Sequence, residues 1–509
     1  MSNNFYFRDR FKEFLQSIGI INKRNIRELS PIDEGKTFQE NLLENKIWFR
    51  GLNRELEQFY MANKYLDWTS FWGSANRNER IRKIHIPMAQ LTVNILKDIT
   101  VNSIEDIDIS RAQYKKIWEN IYEENNLSDV LDNALEGVLV YGDGAFKLNW
   151  DSSFSSLPII EWVNASDIEY KYKYGRIQEI IFKKVYFKDD KRFVLLEFYG
   201  KGYIKYKLTD SEGAIYPLNT IEELIGLEDK YFTKENGQLD TNIFLAIPFK
   251  IWDSNLYEGR GKSIFEGKKQ IYDELDETIS QWIDALRKGR IQKYIPESLI
   301  PRTRDGKLVL DDERFNEFIK VADYSTSEDA SAKIEVIEPQ IQVDKYKESY
   351  LTFFELSIDG LISASTIGIN TKRLDNAEAQ REKEKVTLYT RKSIIKGIRE
   401  SLEKLIRESI YLYNYENSEK NSKDYTVLIN FGEYANPSFE ARVEVMAKAK
   451  QAGIMSNEFI VDELYPEMKL EEREREVERL YKNDESKKVG TNSFNDEEKA
   501  ASAEYELDY

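Results

Sequence analysis

The chain has 509 residues, 41% hydrophobic and 32% charged, with 91 acidic against 74 basic side chains and a formal net charge of −17. That is enough chain for several cores, and the acidic surplus argues against a static, sequence-specific grip on nucleic acid. With no cysteine and one histidine, disulfides, Cys–His pairs and the usual zinc ligand sets are excluded, and His85 reads as structural.

Residues 1–20 carry acidic side chains and no small-residue cleavage site, so they do not read as a secretory signal. Through residue 75 the pattern is helical and polar-aromatic. Trp48, Leu52, Leu56, Phe59 and Tyr60 recur at helical spacing, as in an amphipathic helix over a core. Beyond a loop rich in Asn and Gly, Pro87 stands near the start of a helix with Leu91, Ile95 and Ile99 on one face. Residues 110–151 predict two helices and then two strands. Ser128, with Asp129 and Asp132 behind it, signals a helix start. Gly142-Asp143-Gly144 between apolar runs signals a turn. Over 157–250, short β-branched and aromatic runs are separated by Tyr174-Gly175, Lys188-Asp189-Asp190 and Gly200-Lys201-Gly202. They predict a meandering antiparallel sheet. The longest apolar run, 243–252, is broken by Pro248 and Lys250 and falls far short of the ~20 residues of a bilayer span.

Gly-Lys-Ser at 261–263 raises a nucleotide site, but a phosphate loop needs a glycine where Leu256 stands. The better reading is a turn at Gly259 and Gly261, then Ser263 as N-cap with Glu266 completing a capping box. A helix of about 27 residues is expected to follow, with Ile264, Ile271, Leu275, Ile279, Trp282 and Leu286 on one face. Arg287, Lys288 and Arg290 suit its C-terminal end. Residues 291–339 predict a small α/β knob: strands at 291–301 and 333–341, an Asp305-Gly306 turn and a short helix at 313–322. A returning helix over about 344–362 carries Tyr346, Tyr350, Phe353, Phe354, Leu356 and Ile358. A small, polar loop separates it from a long helix that starts near Asn376 and passes Tyr415. Leu388, Ile395 and Leu402 repeat every seven residues there, as do Ile398, Leu405 and Leu412. About forty residues make a rod of roughly 60 Å, far beyond the usual ~11–12 residues, so its seam is expected to meet other copies of the chain. Gly397 is the expected kink point. A strand over 424–434 precedes two helices separated by Gly453, with Ser438 and Ser456 as caps. A charged helical run follows, and an acidic tail, 489–509, is expected to be disordered.

This order of parts resembles the portal (head-to-tail connector) proteins of tailed bacteriophages, in particular those of Gram-positive siphophages, over nearly the whole chain. GLNRELEQFY at 51–60, LVYGDGAFKLNW at 139–150, GKSIFEGKKQIYDELDETISQWIDAL at 261–286 and STIGINTKRLDNAEAQREKE at 365–384, taken in order, carry the resemblance. It implies an α+β portal fold, mainly helical with an antiparallel sheet-rich wing. The wing would span 1–255, a first stem helix 256–290, a small α/β clip 291–340 and a second stem helix 341–361. A tunnel loop at 362–376, a long kinked helix and strand at 377–437 and a helical crown at 438–488 complete it.

The resemblance further implies a homo-oligomeric ring, twelve-fold in the virion, at one capsid vertex. Such a ring conducts double-stranded DNA during packaging by the terminase motor and during ejection, and docks head-completion and tail proteins. Expected partners are the terminase large subunit, an adaptor, and the major capsid and scaffolding proteins. Assembly would occur in the host bacterial cytoplasm, with no catalysis, cofactor, metal or membrane. In the tunnel loop, Lys372, Arg373, Asn370 and Thr371 are the candidates for meeting DNA. An acidic wall would repel phosphates over ~8 Å and let DNA pass without sticking. On the knob, Arg302, Arg304 and Lys307 are the candidates for the motor or adaptor. The competing readings are a P-loop-like ATPase and a monomeric virion scaffold or adaptor.

Overall fold

Helix α1 (Phe38–Arg50) begins at a capping box: Thr37 Oγ1 accepts from the Glu40 amide, and the Glu40 carboxylate accepts from the Thr37 amide. It ends at Gly51, in the left-handed region at φ 63°. The structure, a computed structural model, describes residues 36–63, 69–74, 81–234, 236–289, 292–296, 299–300, 302–306, 318–321, 335–337, 341–367, 384–418, 424–432, 443, 446–448, 450, 455–465 and 472–482. The chain divides into two compact units, Met1–Gly432 and Glu433–Tyr509.

In the first unit, α1 packs with α2 (Asn53–Ala62), α3 (Met88–Val101) and, beyond α4 (Ala112–Glu124), with α5 (Leu127–Tyr141), on which α4 also packs. Trp48, Trp72 and Trp118 are the largest fully buried side chains of this layer. On α3 the buried residues are Met88, Ala89, Thr92, Val93, Leu96 and Thr100, while the expected face of Leu91, Ile95 and Ile99 is half-buried. The helix is covered on more than one side.

The turn expected at Gly142 is a helix end. Residues 138–141, expected to form a strand, complete α5, and the Gly142 amide closes it on Val138 O at 2.8 Å. Burial decides this, because Val138, Leu139 and Val140 all face core and a short apolar run does not distinguish helix from strand. At the other end Asn126, not Ser128, is the N-cap residue. Between α3 and α4 the sequence reading missed β1 (Ile104–Ile109), which pairs antiparallel with β14 (Val427–Phe431), Ile109 opposite Val427. A pairing that remote in sequence leaves no local signal.

The expected meander is present. Strands β4 (Ile168–Lys173), β5 (Arg176–Lys188), β6 (Lys191–Gly200), β7 (Tyr203–Asp210) and β8 (Ile215–Tyr216) pair consecutively and antiparallel, with β9 (Lys230–Tyr231) on β7. A second antiparallel sheet places β2 (Asp143–Asn149) between β3 (Ile159–Asn164) and β10 (Ala246–Lys250).

Helix α6 (Lys269–Lys288) starts later than expected, and its cap is a correction. Ser263 Oγ donates to Val140 O at 2.7 Å and Glu266 accepts from Ser254 at 2.9 Å, so neither forms a capping box on α6. Gly267, at φ 81°, interrupts the turn before the helix begins. The knob holds β11 (Gln292–Pro296) between β12 (Phe318–Val321) and β13 (Glu335–Ile337), parallel to the first and antiparallel to the second. Residues 318–321, assigned from sequence to a short helix, are therefore a strand; their β-branched pairing on β11 overrides the helical pattern. Helix α7 (Val343–Ile358) returns along α6.

The long helix α8 (Lys385–Glu416) has 32 residues, about 48 Å. The expectation that its seam meets other copies of the chain is corrected by its burial. Ile398, Leu402, Leu405 and Leu412 are buried, and the covering elements are α3, α4, β10 and β14 of the same unit. Gly397 has a local reason: a Cβ there would lie 3.2 Å from Lys250 O, so α8 lies directly on the β10 backbone. The expected start near Asn376 lies outside the described residues. In the second unit, Ser456 caps α9 (Asn457–Leu464) by accepting from the Phe459 amide, and 472–482 is helical. The cap at Ser438, the acidic tail and residues 1–35 lie outside the described residues.

Candidate functional site

The outgoing and returning helices, α6 and α7, are the unit to which the sequence assigned function. The lower part of α6 carries Lys269, Asp273, Asp276 and Ser280, at spacings that share one helix face. That polar face is turned inward. Asp273 accepts from the amides of Phe71 at 2.7 Å and Trp72 at 3.3 Å. Asp276 accepts from the Ile86 amide at 2.8 Å and Trp72 Nε1 at 3.0 Å, and its Oδ2 lies 2.7 Å from His85 Nδ1. Ser280 Oγ accepts from the Ile84 amide at 2.9 Å. The row thus stitches two irregular segments, around 71–72 and 84–86, onto α6, satisfying backbone groups that no strand ladder serves. Burial pushes the Asp276 carboxyl above its ordinary value, opposed by its bonds with His85 and the Ile86 amide.

One turn earlier, Lys269 Nζ meets Glu44 Oε2 and Asn41 Oδ1, each at 2.6 Å. Glu44, 1% exposed, also takes Lys36 at 2.5 Å and the Tyr60 hydroxyl at 2.7 Å. Burial works to raise Glu44, but Lys269 and Lys36 outweigh it and hold it below its ordinary value. Burial pushes Lys269 down to about 8 despite Glu44. Sequence reasoning found neither network: the apolar face of α6 drew attention, and the partners lie some 190 or more residues away in the chain.

The upper part of α6 leans on α7. Trp282 and Tyr350 pack with their rings tilted and centroids 6.2 Å apart, and Tyr350 meets Phe354 at 6.1 Å. Lys268 Nζ donates to Leu356 O at 2.7 Å. Of the face expected from sequence, Leu275 is buried, Ile271, Ile279 and Trp282 are half-buried, and Leu286 is exposed, as are Leu351 and Leu356 on α7. The knob side chains Arg302 and Arg304 are exposed beside the Gly306 turn, which is closed by Gly306 N on Thr303 O at 2.9 Å. Lys307 lies outside the described residues.

Asn370, Thr371, Lys372 and Arg373 also lie outside the described residues, but the two ends of their segment are placed. The fully buried Thr387 of α8 accepts from the Ser363 amide at 2.8 Å, and its hydroxyl lies 2.8 Å from that of Thr366. The chain entering the loop is thereby tied to the first turn of the helix leaving it. Beside this tie is a cavity of about 750 Å³ bordered by Lys262, Lys268, Asp359, Tyr389 and Ser393.

Gly-Lys-Ser does not form a phosphate cradle. The Gly261 amide is spent on Asp143 Oδ2 at 2.7 Å, the Lys262 amide on Trp252 O at 2.8 Å and the Ile264 amide on Leu139 O at 3.1 Å. A phosphate loop needs such N–H groups aimed at the ligand. Here they lock the turn to the end of α5, where a Cβ on Gly142 would come within 2.3 Å of Gly261 O. Arg260 pairs with Asp143 at 3.0 Å and lies against the rings of Phe38 and Tyr170, 4.1 and 4.8 Å from their centroids. Burial raises the Asp143 carboxyl despite that arginine. Among the described residues no group of three or more acidic or histidine side chains could hold a metal. None of the described helices is long and apolar enough to cross a membrane.

Two helices thus lead out of and back into an α+β body and carry a small sheet between them. The family "Phage portal protein, SPP1 Gp6-like" matches residues 39–489. The chain belongs to this phage portal protein family. No curated protein matches the chain. Among solved structures, it is similar to the neck of a native gene transfer agent particle computed with C12 symmetry, at 10% identity and a TM-score of 0.38, over 74% of this chain and 89% of that one. It is also similar to an HK97 family phage portal protein from Corynebacterium diphtheriae, at 8% identity and a TM-score of 0.32, over 68% and 92% of the two chains.

Proposed function

We propose that this chain is the subunit of a homo-oligomeric ring, twelve-fold in the virion, at one capsid vertex. The ring is the conduit through which terminase packages double-stranded DNA and through which DNA later leaves, and it is the platform for head-completion and tail proteins. Membership of the portal family over 39–489 is the observation that carries this reading. In it, α6 and α7 are the stem, 291–340 is the clip and 362–376 the tunnel loop. Lys372 and Arg373 meet passing DNA through transient phosphate contacts, with Asn370 and Thr371 beside them. Arg302, Arg304 and Lys307 face the motor or adaptor. The protein performs no catalysis and uses no cofactor; the enclosed Gly-Lys-Ser amides support that.

Negative-stain images of the purified protein test the ring. Annular particles with a central hole are expected, and uniform ~60 kDa monomers under assembly conditions would overturn the reading. Robust ATP turnover would favour the enzyme reading instead. Combined Lys372→Ala and Arg373→Ala should leave rings intact and alter DNA packaging or retention; unchanged packaging removes both from the channel.

A further inference from the structure

The body carries a surface to which the reading above assigns no role: one face of the six-stranded sheet. Register places Val185, Val194, Thr209 and Ile215 opposite one another across four strands, with Phe187 beside them opposite Arg192. Phe187 is 77% exposed, Ile215 63% and Val185 39%, so an apolar strip lies open at this end of the sheet. The next row is Lys183, Leu196 and Lys207, and the row after it sets Lys205 against Phe198. Leu196 and Ile181 are buried on this face yet stand outside both apolar cores. The long stems of the flanking lysines are suited to cover them.

The charge of this face is opposite to that of the chain. Its two carboxylates are already engaged, Glu169 with Lys183 at 3.4 Å and Glu179 with Lys171 at 2.7 Å. Arg192 and Lys205 have no carboxylate partner among the described residues; Lys205 lies instead over the rings of Tyr203 and Tyr231, at 5.0 and 5.7 Å. In a protein of net charge −17, cations rimming an apolar strip select a ligand that is both acidic and apolar. We propose that this face docks an acidic amphipathic segment of a partner protein, its apolar side on Val185, Phe187 and Ile215 and its carboxylates toward Arg192 and Lys205. Nucleic acid fits less well, since Glu169 and Glu179 share the face and the strip is largely aliphatic. The inference does not depend on ring formation.

The test uses the full chain and a labelled helical peptide with leucines on one side and glutamates on the other. Binding that weakens with salt is expected. Arg192→Glu with Lys205→Glu should weaken it by roughly tenfold or more, as should Phe187→Ser, with thermal unfolding unchanged because all three side chains are exposed. The same peptide with lysines for glutamates should not bind. Absence of binding, or binding indifferent to both variants, overturns the proposal. It is equally overturned if an oligonucleotide binds and is lost in the same variants, or if the variants instead abolish self-association.

Discussion

Replacing Asp276 by asparagine tests the anchoring of α6 most sharply. In the native site Oδ1 accepts from the Ile86 amide, while Oδ2 accepts from Trp72 Nε1 and lies against His85 Nδ1. An amide offers one acceptor oxygen. Set at the Oδ1 position, it keeps Ile86 and points an NH₂ group at the indole N–H. His85 keeps a bond only by moving its proton to Nε2, which is buried with no protein partner among the described residues; Trp72 cannot do even that. Flipped, the amide keeps Trp72 and strands Ile86. Either way at least one buried donor is left unpaired and each surviving bond loses a charged acceptor. A stranded group costs ~1–3 kcal/mol and each weakened bond ~1 kcal/mol, so the expected loss is about 2–4 kcal/mol. For a 432-residue unit at ~2.1 cal/mol/K per residue, Tm should fall by roughly 2–4 °C. Near-ultraviolet circular dichroism should change with it, since Trp72 is fully buried beside the substitution. Asp276→Ala, which strands all three partners, should fall further. An Asn variant with unchanged Tm and unchanged aromatic dichroism would refute the claim that Asp276 holds these segments.

The remaining predictions concern other joints. The folded chain holds Lys269 at about 8, whereas an unfolded lysine titrates near ~10.4. Between those values the unfolded state binds more protons, so the lysine's contribution to stability rises with pH across that window. Wild type should gain on Lys269→Met in urea unfolding over it, by on the order of 3 kcal/mol at most; a flat difference contradicts the assignment. Gly142→Ala should cost about 2–5 kcal/mol, combining strain at φ 98° with the clash against Gly261 O, and poor soluble yield or a lowered Tm would report it. Thr387→Val keeps the volume and removes the tie to Ser363 and Thr366. Proteolysis within 368–383 should accelerate while far-ultraviolet dichroism holds; unchanged cleavage would show that the tie does not restrain the loop.

Alternation and turn chemistry made the antiparallel meander readable from sequence, because both are local: Lys188-Asp189-Asp190 at the β5–β6 tip and Tyr174-Gly175 at β4–β5 announce hairpins wherever they fold. Sevenfold repeats announced α8, and the order of segments pointed to the portal family. Tertiary structure decided the rest. It made Gly142 a helix end locked to Gly261 where the local pattern read as a hairpin, and it turned 318–321 into a strand. It paired β1 with β14 across most of the chain, and it covered the seam of α8 with its own unit where other copies were expected. The buried polar row of α6 is the clearest case. Lysine, aspartates and serine at helical spacing carry no local signal of burial, because only folding brings Glu44, Trp72, His85 and Ile86 close enough to satisfy them once they are buried.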